Sequence, residues 1–123
     1  MIGALEGSRI LVVEDSPVVA PYIETVLEEL GCVVVGPAVN LARARDLASE
    51  ATIDAAIVDI NIRGEKAFPI CKILADRGIP FLLTSGYGDW KGPAEWRDYL
   101  QLPKPYSPDD VKVSLLELLW RRV

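Results

Sequence analysis

Short runs of consecutive apolar residues alternate with longer stretches in which apolar positions recur every three to four residues. Residues 9–13 (Arg-Ile-Leu-Val-Val) are almost wholly apolar and β-branched, the pattern of a strand covered on both faces. Val18, Val19, Tyr22, Ile23, Val26, Leu27 and Leu30 then fall at helical spacing and predict a helix over residues 17–30. Ser16 serves as its N-cap, Pro17 stands at its first position, Gly31 supplies the stop, and Pro21 falls early enough to be tolerated.

The alternation continues to the end of the chain. Strands are predicted at residues 32–35 (ended by Gly36-Pro37), 55–58, 79–84 and 100–102. Helices are predicted at residues 41–49 behind an Asn40 cap, and at 66–77 with Pro69 near the start and Gly78 at the end. The last helix opens on Ser107-Pro108-Asp109-Asp110 and runs to about Arg121. It combines an N-cap, a first-position proline and acids placed against the helix dipole. Residues 87–99 resist the scheme, because Gly88, Gly92 and Pro93 disfavour a full helix. One or two turns over residues 94–98 are the most expected there. Five strands alternating with helices predict an α/β fold, a parallel sheet covered on both faces, in a single domain over residues 9–123 behind a tail of residues 1–8.

Composition narrows the chemistry. Half of the 123 residues are apolar, enough to fill one core. A net charge of −5 and the lack of any long basic run argue against nucleic acid as a partner. Cys32 and Cys71 lie far apart in apolar surroundings and read as buried, reduced thiols. The chain has no histidine, which removes histidine general bases, Ser-His-Asp triads and histidine-ligated zinc. No run reaches the ~20 apolar residues of a membrane helix, and residues 1–8 do not resemble a signal peptide. A soluble cytoplasmic protein is expected.

Ligands of open parallel sheets bind beyond the carboxyl ends of the strands. The first predicted strand is followed by Glu14-Asp15-Ser16, the third by Asp59-Ile60-Asn61, and the fourth ends in Thr84-Ser85-Gly86; Lys104-Pro105 follows the fifth. Three carboxylates, a hydroxyl and an ammonium should therefore converge on one rim. Each carboxylate pair at 4 Å costs about 4 kcal/mol at an effective dielectric of 20, so a proton or a cation must relieve it. Carboxylates, a backbone carbonyl and water suit Mg²⁺, with Lys104 free to pair with Asp59 or with an added phosphoryl oxygen and Thr84 able to donate to another.

This placement resembles the receiver domains of two-component response regulators, over residues 9–122. The resemblance implies the flavodoxin-like (βα)5 fold, with strand order 2-1-3-4-5 and here a shortened or irregular fourth helix. It implies that Glu14, Asp15, Asp59 and the backbone carbonyl of Asn61 bind Mg²⁺, with Mn²⁺ able to substitute. Asp59 would be the phosphoacceptor, assisted by Thr84 and Lys104; the Lys-Pro-Tyr run at 104–106 matches the family's Lys-Pro-aromatic ending. Residues 80–88 (Pro-Phe-Leu-Leu-Thr-Ser-Gly-Tyr-Gly) and 59–65 are similar to the Phe-Ala-Thr-Gly-Tyr subgroup, whose members are often single-domain regulators of bacterial general stress signalling.

The implied protein is not an enzyme acting on others but a phosphoacceptor that assists its own phosphorylation and dephosphorylation. Its donor would be a histidine kinase or histidine phosphotransfer protein. With no output domain after the last helix, it would serve as adaptor, relay or phosphate sink. Two departures bear on the switch. Gln101 stands where many receivers carry an aromatic residue, and Ile62-Arg63 replace the usual Met-Pro. The change is then expected to be read through residues 87–99, where Trp90, Trp96 and Tyr99 offer apolar area to a partner or, on the other reading, patch the core. The alternatives are a receiver-like interaction module that works without phosphorylation and a flavodoxin-type cofactor binder. The second is disfavoured because Glu14-Asp15 would repel a phosphate.

Overall fold

Along the three central strands of the main sheet, successive side chains alternate between two separate cores. In the computed structural model, which describes residues 5–85 and 99–122, the elements run β1 (Arg9–Val13), α1 (Val19–Glu29), β2 (Val33–Ala38), α2 (Leu41–Glu50), β3 (Ala55–Asp59), β4 (Asn61–Ile62), β5 (Glu65–Lys66), α3 (Phe68–Asp76), β6 (Phe81–Ser85), β7 (Gln101–Pro103) and α4 (Pro108–Arg122). Leu11, Val13, Ala56, Val58, Phe81 and Leu83 face a core completed by Ala44 and Ala48 of α2 and by Ile70, Cys71 and Leu74 of α3. Ile10, Val12, Ala55, Ile57 and Leu82 face the other, completed by Ile23, Val26 and Leu27 of α1 and by Val111, Leu115 and Leu118 of α4. A period of two with both faces covered is why these strands read as unbroken apolar runs.

The sheet order is β2-β1-β3-β6-β7, every neighbouring pair parallel. This is the expected flavodoxin-like order of the five parallel strands. The order reverses at β1, so α1 leaves β1 toward one face while α3, following β3, covers the other. In such sheets the place where the order reverses is where a crevice opens at the carboxyl ends of the strands, here between β1 and β3.

The local signals act as expected, with shifted boundaries. The Ser16 hydroxyl accepts the amides of Val18 and Val19 at 3.2 and 3.1 Å, although regular helix starts only at Val19. Helices α1 and α3 both end with a left-handed glycine, Gly31 and Gly78. In each, the next amide reaches back to the third residue before the cap: Cys32 to Leu27 at 3.0 Å and Ile79 to Leu74 at 2.9 Å. Asn40 Oδ1 accepts from Arg43 N at 2.8 Å, and Ser107 and Asp110 exchange reciprocal bonds of 3.1 and 2.8 Å that close a capping box.

Three expectations need correction. First, β2 does not end at Gly36-Pro37. It continues to Ala38 by a bulge in which Val35 stands opposite Leu11 and Ala38 opposite Val13. Second, Lys66 does not open α3. Residues 61–66 form the antiparallel β4–β5 hairpin, and the helix begins at Phe68. Third, the tail expected over residues 1–8 is packed from Leu5 onward: Leu5 is buried in the α1/α4 core and the Gly7 amide bonds Gly31 O at 2.8 Å. The turn expected at residues 94–98 lies outside the described residues, as do Trp90 and Trp96. Tyr99 is described: partly buried, it stacks on Phe81 with ring centroids 4.5 Å apart, at the border of the α2/α3 core. Among the described residues no helix is long and apolar enough to cross a membrane.

Two predictions follow from this packing. Leu82→Ala and Leu83→Ala, one in each core, should each cost about 2–5 kcal/mol, read from urea unfolding. Burial raises the Cys32 thiol and pushes that of Cys71 up to about 12. Since the thiolate is the nucleophile, neither should react with a disulfide reagent at neutral pH in the native protein, and both should react in denaturant.

Candidate functional site

Four strands of the sheet deliver polar residues to one end of the crevice. Glu14 leaves β1 with its amide bonded to Ala38 O at 3.0 Å, so β2's extension to Ala38 fixes where β1 ends. Its side chain, 3% exposed, turns inward, where Oε2 accepts from Ser16 N at 3.1 Å. Asp15 is half-buried, and its Oδ2 accepts the Arg63 amide at 2.8 Å. Asp59 ends β3 at 5% exposure, with Oδ1 accepting from Asn61 N at 3.0 Å. Carboxylate oxygens of Glu14, Asp15 and Asp59 all lie within 4.8 Å of one another.

Lys104 enters from the end of β7, its amide bonded to Ser85 O at 2.9 Å. Its ammonium donates to Asp59 Oδ2 at 2.7 Å and pairs with Glu14 Oε1 at 2.8 Å. Thr84 stands directly opposite Asp59 in the β3–β6 ladder. It is 1% exposed, and its hydroxyl has no hydrogen-bond partner among the described residues. A buried polar atom without a partner is costly and calls for a reason.

The electrostatics follow from burial. Desolvation raises Glu14 above the ordinary carboxylate range, the Lys104 bond lowers it in part, and the neighbouring Asp59 charge raises it further. Desolvation opposes the charge on Lys104, but the bonds to Asp59 and Glu14 outweigh it and hold the ammonium above its usual value. Burial, then the charges of Glu14 and Asp59, raise the Tyr106 phenol as well. One ammonium thus faces three carboxylates. At separations below 4.8 Å each ionised pair costs about 3–4 kcal/mol at an effective dielectric of 20. The donor set is hard oxygen, and the site fits a divalent cation bound by a few carboxylates and water. The partnerless Thr84 hydroxyl beside Asp59 fits a further oxygen-bearing group there.

The structure therefore brings Glu14, Asp15, Asp59, Thr84 and Lys104 together as the strand-end reading expects. Asn61, exposed in the hairpin, contributes its amide to Asp59 and pairs with Lys66. Gln101 is exposed on β7. Two features went unread in the sequence. Arg63, at the tip of the hairpin, touches Asp15 from 48 residues away. The Asn-Ile-Arg-Gly-Glu-Lys run does carry a two-residue hairpin signal, a glycine turn between short strands. Beside Lys104 lies a largely apolar groove of about 450 Å³ lined by Val19, Tyr22, Pro105 and Tyr106, where the Tyr22 hydroxyl donates to Tyr106 O at 3.1 Å.

The family model described as the response regulator receiver domain matches residues 10–114. The solution structure of SdrG from Sphingomonas melonis Fr1 is 39% identical, covering 92% of this chain and 97% of its own, with a TM-score of 0.82. The response regulator PhyR from Brucella abortus is 26% identical with a TM-score of 0.79, covering 97% of this chain, which spans 51% of PhyR. The receiver domain of the sensor histidine kinase PA1611 from Pseudomonas aeruginosa PAO1, crystallised with a magnesium ion coordinated in its active-site cleft, shares the fold at 22% identity, covering 93% of this chain and 98% of its own, with a TM-score of 0.79. No curated protein matches the chain.

The raised Glu14 carboxyl gives a signed prediction. A carboxyl whose folded pKa lies above its unfolded value contributes stability at pH below the unfolded value, and that stability is lost as pH rises through the folded one. At neutral pH the buried Glu14 carboxyl is therefore a cost. Glu14→Gln should melt higher than the parent at pH 7 without divalent cations, and the gap should close as pH falls into the carboxylate range. Thermal melts at the two pH values check it.

Proposed function

The chain belongs to the response regulator receiver domain family of two-component signalling, and from that premise we propose that it accepts a phosphoryl group from a phosphohistidine onto Asp59 in a Mg²⁺-dependent reaction. The observation that carries this reading is the contact of one ammonium, Lys104 Nζ, with both Asp59 and Glu14, inside a cluster that also holds Asp15 and the partnerless hydroxyl of Thr84.

Each residue has a task in this reading. Asp59 presents a carboxylate oxygen in line with the donor's P–N bond, which breaks as the new P–O bond forms. The Asn61 amide on Oδ1 and the Lys104 ammonium on Oδ2 fix the plane of the carboxylate before the reaction. Asp15 and Asp59, with the Asn61 carbonyl, would hold the cation directly, and Glu14 through water. Bound there, Mg²⁺ (or Mn²⁺) offsets negative charge on the transferring phosphoryl oxygens. After transfer, the phosphoryl adds about −1.5 to −2 charges. Lys104 stays charged, so it follows the new anion, and Thr84 gains the acceptor its hydroxyl lacks. Movement of the loop after β3, together with Thr84 and Lys104, is the change a partner reads. The same cluster assists water in removing the group, so the protein is substrate and catalyst of its own modification.

The donor is a histidine kinase or histidine phosphotransfer protein, and the apolar groove beside Lys104 offers it a seat next to Asp59. The protein acts in the cytoplasm as a stand-alone adaptor, relay or phosphate sink. The likeness of residues 80–88 to the Phe-Ala-Thr-Gly-Tyr subgroup supports a role of that kind, and the 39% identity to SdrG is compatible with it.

Incubation with Mg²⁺ and acetyl phosphate should add the mass of one phosphoryl group, lost in Asp59→Asn and in the presence of a chelator. Thr84→Ala and Lys104→Ala should slow modification by about 10²-fold. No mass increase in the parent, or one that survives Asp59→Asn, overturns the reading and leaves an interaction module that works without phosphorylation.

A further inference from the structure

The β4–β5 hairpin springs directly from Asp59. Ala67 N bonds Ile60 O at 2.8 Å across its base, and Ile60, Ile62 and Ala67 are buried in the α2/α3 core. The hairpin is thus a rigid outgrowth of the core. Its tip is a two-residue turn, with φ of 52° at Arg63 and 82° at Gly64, the double positive φ of a type I′ turn. Glycine adopts this at no steric cost; Arg63 does so against the preference of a side chain that carries a Cβ. Two bonds leave this strained residue. Its amide donates to Asp15 Oδ2 at 2.8 Å, and its Nε donates to Val39 O at 3.1 Å in the loop after β2.

We propose that Arg63 is a positioning residue for the cation ligand Asp15: its side chain, strapped to Val39, holds the turn where its amide captures Oδ2 and leaves Oδ1 to the metal. This deepens the proposed function and rests on it. The arrangement couples the three loops that surround the crevice. The loop after β1 supplies the ligand, the loop after β3 supplies the amide, and the loop after β2 supplies the anchor. A carboxylate fixed on one oxygen has one orientation left to lose when it binds a cation. Bonds of this kind around metal ligands are typically worth 10- to 100-fold in affinity.

Removing the anchor without straining the turn isolates the effect. Arg63→Gly keeps the positive φ and deletes the strap. Titration with Mg²⁺ alone, followed by calorimetry, should show about tenfold weaker binding, while Arg63→Lys, whose ammonium can still bond Val39 O, recovers most of it. In phosphorylation by acetyl phosphate, the loss should appear in the Mg²⁺ concentration giving half the maximal rate, with far less in the rate at saturating Mg²⁺. In an Asp15→Asn background, Arg63→Gly should add nothing further. Unchanged Mg²⁺ affinity in Arg63→Gly, or equal and additive losses with Asp15→Asn, overturns the inference and leaves the proposed function standing. A parent protein that binds no Mg²⁺ overturns the proposed function itself.

Discussion

The ammonium of Lys104 lies between the carboxylates of Glu14 and Asp59, at 2.8 and 2.7 Å, on the floor of a crevice that a third acid, Asp15, also faces. Burying acids of like sign so close together is unfavourable by several kcal/mol, and one fixed cation offsets only part of it. Everything around the crevice serves to hold this arrangement against its own repulsion. The ladder of β6 and β7 sets where Lys104 emerges, the extension of β2 sets where β1 stops, and backbone amides of Ser16, Asn61 and Arg63 each take one carboxylate oxygen. The site is destabilised by construction, and that suits the proposed function: a divalent cation would relieve the acids, and a phosphoryl oxygen would offer the Thr84 hydroxyl an acceptor.

The strand-end set was legible because a parallel sheet sends every carboxyl end to the same rim, so position along the chain translates into proximity without knowledge of any side-chain contact. Burial patterns were legible for a similar reason, since runs such as residues 9–13 admit few other environments. What escaped was governed by contacts distant in sequence or by elements too short for periodicity. Two-residue strands carry no detectable period, and Lys66, a good helix former, reads naturally into the helix that follows. Gly36-Pro37 is a strong turn signal in isolation, yet pairing with β1 absorbs it as a bulge. Tyr99 looked available to a partner because nothing near it in sequence shows that Phe81 lies beneath it.

The two cores divide the labour. Helices α2 and α3, with the hairpin root at Ile60, Ile62 and Ala67, back the acidic side of the crevice. Helices α1 and α4 back Tyr106 and the groove beside Lys104. The sheet, apolar on both faces of its central strands, separates the two cores.

The packing of Leu5 has a practical consequence for anyone joining this module to another. Its side chain is 1% exposed, its carbonyl receives the Cys32 thiol at 3.5 Å, and the Gly7 amide closes onto Gly31. The seam between this unit and anything spliced ahead of it therefore lies upstream of residue 5. A fusion or affinity tag that replaces the residues before Arg9, where the first strand starts, would remove Leu5 from the core between the sheet and helices α1 and α4 and leave a void there.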